Sequence, residues 1–121
     1  MKKLALLAFL ISTPVQAETF AEVKPDKKVV LSIWDEGNKA YVEGRYREAA
    51  ELYVRASWYC GYDEKDIPVT LIFNNAQAKR KANMMSSALL GYRTFVRLAG
   101  NHPMVSVAKR WIDYLTAHGV K

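Results

Sequence analysis

The chain has 121 residues, with 18 lysines and arginines against 12 acids, two histidines and one cysteine. That length suits one small domain, and a lone cysteine excludes an internal disulfide framework. Neither histidine has a carboxylate or cysteine at a ligand spacing, and zinc needs three or four convergent ligands, so stability has to come from apolar packing.

Met1-Lys2-Lys3 is a positive start, Leu4 to Ile11 is an apolar run, and Val15-Gln16-Ala17 is a small-residue cleavage pattern before Glu18. This predicts a secretory signal peptide over residues 1–17, cleaved after Ala17. The apolar run is shorter than the roughly 20 residues of a spanning helix, and no later segment is apolar enough to leave a transmembrane span after cleavage. A bacterial periplasmic destination fits best, with full secretion open. Residues 18–28 are charged, contain Pro25 and keep no sustained period, so a flexible lead-in is expected.

Val29 to Glu43 predicts a first helix, with Leu31, Trp34, Tyr41 and Val42 apolar. Tyr46 to Tyr59 predicts a second, its stripe marked by Ala49, Leu52, Tyr53 and Ala56. Gly44 stands at the break, where a residue without Cβ tolerates the reversal. Cys60 to Pro68 interrupts the pattern and ends in a proline suited to a helix start. Val69 to Ala82 and Met85 to Leu98 then predict a second pair; Val69 to Phe73 is strand-like in propensity but runs directly into a helical composition. Asn101-His102-Pro103 opens a fifth helix, with Val105, Ala108, Trp111, Ile112 and Leu115 at three- and four-residue steps, and His118-Gly119 stops it. The expected fold class is all-α, with residues 29–121 as one helical domain.

Spacing ties the two pairs together. Gly37, Ala49, Tyr53 and Ala56 follow one another at steps of 12, 4 and 3, and Ala76, Ala88, Tyr92 and Phe95 repeat those steps 39 residues later. Both stretches resemble the tetratricopeptide repeat, whose period is about 34 residues, and the 60–68 loop accommodates the excess. The resemblance implies a short α-solenoid: two helix-turn-helix repeats plus a C-terminal capping helix. It further implies a scaffold for binding, with the first helix of each pair lining a concave groove. Leu31, Trp34, Asn38 and Tyr41 would line it in the first repeat, and Thr70, Phe73, Asn74, Gln77 and Arg80 in the second. Asparagines at the places of Asn38 and Asn74 clamp a peptide's terminal carboxylate in some members. Here Trp34 replaces the lysine one turn before Asn38, and the third repeat is reduced to one helix with Lys109. The plainer reading has Trp34 and Phe73 packed between units, leaving only the amides exposed.

No catalytic constellation is visible. His102 and His118 lie at opposite ends of the last helix, adjacent acids such as Asp35-Glu36 and Asp63-Glu64 diverge, and no nucleophile elbow or glycine-rich phosphate loop occurs. No enzyme, cofactor or metal site is expected. Charge is more telling: residues 18–66 hold eleven acids and eight bases, whereas residues 67–121 hold Asp113 alone against eight bases. That asymmetry points to an anionic partner, with Lys79, Lys81, Arg93, Arg97, Lys109 and Arg110 as a candidate basic surface. The plainer reading of Lys79 to Lys81 is cations complementing a helix C-terminus. Nucleic acid is not expected in the periplasm. Two functions follow as expectations: an adaptor that binds a peptide segment, acidic in character, of another envelope protein, or a basic module for anionic lipid or cell-wall polymer.

Overall fold

In a computed structural model the structure describes residues 23–121, and among them it is all-α, with no strand. The helices are α1 (Lys27–Val42), α2 (Tyr46–Trp58), α3 (Val69–Lys81), α4 (Met85–Ala99) and α5 (Val105–Ala117), with one 3₁₀ turn at Glu64–Asp66. Each helix packs chiefly against its neighbours in the chain, which is the contact pattern of a solenoid. Two antiparallel pairs, α1–α2 and α3–α4, are closed by α5. The signal peptide and its cleavage point after Ala17 lie outside the described residues, as do residues 18–22 of the lead-in.

The domain starts earlier than the apolar pattern implies. Asp26 caps α1, its Oδ1 accepting from the backbone N–H of Lys28 at 3.1 Å and of Val29 at 3.3 Å, the usual role of an N-cap carboxylate. Val23 is buried, and its carbonyl accepts from the Tyr62 hydroxyl at 3.0 Å. The Asp26 N–H donates to the Tyr59 carbonyl at 2.9 Å. Residues 23–28 are therefore bound to the helices rather than a free leader. Their charge hid a single apolar anchor and a capping signal.

Both helix pairs turn in the same way. At the end of α1 the Arg45 N–H reaches the Ala40 carbonyl at 2.9 Å and the Gly44 N–H reaches Tyr41 at 3.0 Å; at the end of α3, Met84 reaches Lys79 at 2.8 Å and Asn83 reaches Arg80 at 3.0 Å. These are paired Schellman closures. They need a positive φ at the turning residue, and Gly44 has 81° and Asn83 has 65°. Asparagine is among the few side chains that enter this region routinely, so Asn83 takes the place of Gly44.

Two apolar cores result. The first joins Ala40, Ala49, Ala50, Tyr53 and Ala56 to Leu71 and Ala78 of α3. The second joins Phe73 and Ala76 of α3 to Ala88, Leu89, Tyr92 and Phe95 of α4 and to Ala108 and Leu115 of α5. Helix α3 thus contributes to both. Small residues set the spacing in the first pair: a Cβ on Gly37 would lie 2.6 Å from Tyr53 Cε1. Burial of rings such as Tyr92 and Phe95, both fully inaccessible, contributes about 1.5–3 kcal/mol each before ordering entropy is counted. No helix among the described residues is long and apolar enough to cross a membrane.

Candidate binding cleft

Helices α1 and α3 flank a cleft of about 220 Å³, lined by Asn38, Tyr41, Val42, Tyr53, Phe73, Asn74 and Gln77. Five of the nine groove residues expected from sequence meet here. Asn38 Oδ1 accepts from the Tyr53 hydroxyl at 2.7 Å. Gln77 Oε1 accepts from the Tyr92 hydroxyl in the same manner. Asn38 and Gln77 are 39 residues apart, as are Tyr53 and Tyr92, so the repeat extends to a polar pair. With each amide oxygen held by a tyrosine, the side-chain N–H groups remain as donors for a ligand. Asn74 lies half-buried in the same wall.

The cations beside this cleft are held in place. Arg80 Nε donates to the Tyr92 hydroxyl at 2.9 Å, and its guanidinium lies 3.7 Å from the Trp111 ring centroid. Such stacking attracts a cation to the ring face and fixes its orientation. Lys81 Nζ stands 5.3 Å from the Tyr46 ring and 5.9 Å from the Tyr41 ring, and those two rings meet edge to face at 5.2 Å. Burial raises the Tyr53 hydroxyl to about 12, the nearby Tyr41 adding to the shift. Burial also raises that of Tyr92, where the bonded Arg80 works in the opposite direction.

The expected groove is interrupted. Leu31 and Trp34 line a separate recess of about 340 Å³ near Pro25, Tyr59, Cys60 and Pro68. Trp34 is half-buried and packs on the first core. Phe73 is only 7 % exposed, with its ring against Tyr92 and Phe95. An aromatic floor made of Trp34 and Phe73 is therefore not what the fold presents: Phe73 is core, and Trp34 belongs to another recess. Thr70 is exposed outside both. In the Trp34 recess the Cys60 thiol donates to the Ala56 carbonyl at 3.6 Å, and burial followed by the proximity of Asp66 pushes its pKa up.

The basic residues do not form one free patch. Arg97 makes two bonds to Glu64, at 3.0 and 2.9 Å. Lys79 is half-buried on the far side of α3, while Arg93, Lys109 and Arg110 are exposed. Among the described residues no three His, Cys, Asp or Glu side chains converge as metal ligands. The tyrosine-to-amide bonds were not expected from sequence, which set Asn38 beside Asn74, although the 39-residue period aligns both members of each pair. The Arg80–Trp111 stack had no sequence signal, because it joins different helix pairs. No family model, curated protein or solved structure matches the chain.

Proposed function

We propose that the chain is an exported helical-repeat adaptor of tetratricopeptide type, holding an extended segment of another cell-envelope protein in the cleft between α1 and α3. The observation that carries this reading is the repeated amide–tyrosine pair, Asn38 with Tyr53 and Gln77 with Tyr92. It presents amide donors at fixed positions along one cleft, the array an extended backbone's carbonyls can use. Arg80 and Lys81, held by aromatic rings at its border, favour an acidic segment. The signal-like start supports a periplasmic site of action. The rival reading, a basic surface for anionic lipid or cell-wall polymer, has less support, since the cations are divided among an ion pair, two ring stacks and separate faces.

A photo-crosslinking residue at Asn74, introduced into the protein in living cells, tests the proposal. A single crosslinked envelope-protein peptide is expected, identifiable by mass, with the yield falling at least tenfold in Asn38→Leu. Crosslinks to lipid or glycan, or a protein crosslink indifferent to Asn38→Leu and lost at high salt, would overturn it.

A further inference from the structure

The opposite face of α3 carries a second recess, of about 190 Å³, formed with α2 and α4. Asn75 and Lys79, one turn apart, line it from α3; Ser57 lines it from α2, and Ser87, Leu90 and Gly91 from α4. Three features of it have no explanation in the packing. Asn75 Oδ1 is buried and has no hydrogen-bond partner, although buried acceptors are almost always satisfied. The Lys79 ammonium is half-buried with no acid in the lining, and loss of water lowers its pKa. Leu90, at 67 % exposure, is one of the most exposed large apolar side chains described and stands on the rim.

We propose that this recess binds an extended acidic peptide segment of a partner, with a carboxylate on Lys79 and a backbone N–H on Asn75 Oδ1, the half-buried amide turning outward to take it. The two vacancies are of opposite kind. Lys79 offers donors only and Asn75 Oδ1 accepts only, so the occupant has to bring both an anion and an N–H. The phosphodiester of a lipid headgroup supplies only acceptors and leaves the buried oxygen unpaired. An acidic peptide supplies both. Four residues along α3 advance about 6 Å, and an extended chain advances about 3.3 Å per residue. The N–H and the carboxylate therefore fall on adjacent residues of the segment, or on one residue and the next but one. Leu90 would be covered by an aliphatic side chain of the same segment. The site shares Tyr53 with the α1–α3 cleft but opens on the other side of α3, and it gives an adaptor a second face from which to hold a partner.

The test uses the purified chain against a positional-scanning library of N-acetylated, C-amidated hexapeptides, so that every carboxylate is a side chain. Retained peptides should be enriched in Asp or Glu at one position and in an aliphatic residue nearby. Lys79→Met should lower the affinity of a retained acidic peptide at least tenfold and remove the acid preference; Lys79→Gln serves if Met fails to fold. Asn75→Leu should weaken binding at least fivefold while raising the melting temperature, because it deletes an unsatisfied buried oxygen. Lys109→Met, which removes an exposed cation of α5 outside this recess, should leave this binding unchanged. The proposal fails if no acidic preference appears, if that preference survives both Lys79 variants, or if Asn75→Leu raises stability without affecting binding. Equal competition by inorganic phosphate would also overturn it in favour of a simple anion site.

Discussion

In the first helix pair Gly37 makes room for the Tyr53 ring, and Leu52 of α2 packs on the first core; in the second pair Ala76 takes the sequence position of Gly37 and Gly91 that of Leu52. The missing volume has moved from one helix to the other, for a Cβ on Gly91 would lie 3.0 Å from that of Ala76. The turns show the same economy, Asn83 holding the backbone angle that Gly44 holds. One position departs further. Ala56 sits in the first core beside Leu71 of α3, whereas its counterpart Phe95 meets Phe73 at 5.1 Å and His102 at 5.3 Å. The first pair is followed by another pair, but the second is followed by a single helix. A full ring is needed to fill the space that a partner helix would otherwise occupy. What the repeat conserves is helix separation and the tyrosine–amide bond, and what it varies is how volume is supplied.

Breaking this comparison is most direct at the end of the solenoid. Phe95→Ala should destabilise the chain by about 3–5 kcal/mol, the range for deleting a buried ring, as read from denaturant midpoints. A loss below about 1 kcal/mol would show that α5 closes the second core without that ring. Gly37→Ala comes next. Its new methyl meets a ring that is buried and tied to Asn38, so overpacking of about 1–3 kcal/mol outweighs the roughly 1 kcal/mol that alanine returns in helix propensity. Gly91→Ala, whose nearest contacts are the Ala76 Cβ at 3.0 Å and Cα at 3.4 Å, should cost less. Thermal melts that rank the two glycines in the reverse order would refute the volume exchange.

The smallest effect sharpens the comparison in alkali. Tyr53 has its folded pKa raised by burial to about 12 from a reference of 10.0. Its contribution to stability is therefore complete below pH 10 and is lost as pH rises through the folded value. Tyr92 is raised too, but Arg80 offsets part of the rise. Tyr53→Phe should flatten the fall in stability above pH 10 more than Tyr92→Phe does, in urea titrations run across that range. Equal slopes for the two variants would mean that Arg80 does not distinguish the tyrosines.

Much of the cleft could be read before the fold was known, though not for every residue. Asn38, Tyr41, Asn74 and Gln77 line the cleft as the resemblance to the repeat family implied, their three-residue steps putting each pair on one side of its helix. Phe73 shares that spacing yet is core, since α4 and α5 bring Tyr92 and Phe95 against its ring. Trp34 lies one turn before Asn38, but the Cys60–Pro68 loop and the segment from Val23 close around it and divide the groove. Lys79 was expected only as part of a basic surface and Asn75 not at all, because an amide and a lysine one turn apart are ordinary on an exposed helix. Only the walls of α2 and α4 make them unusual.

Local chemistry was enough for the helices, their turns and the repeat. Helical periodicity, positive-φ residues and small-residue spacing act within a few residues of one another, and the chain declares them directly. Helix α3 shows the limit of that reading. It is buried on two sides, by Leu71 and Ala78 towards the first core and by Phe73 and Ala76 towards the second, so no single apolar stripe announces its partners. Which of its polar residues faces a cleft, which faces a recess, and which cation is stacked on a ring depends on helices 10 to 40 residues away. Those placements come from packing energies summed over both neighbours, and tertiary structure alone decides them.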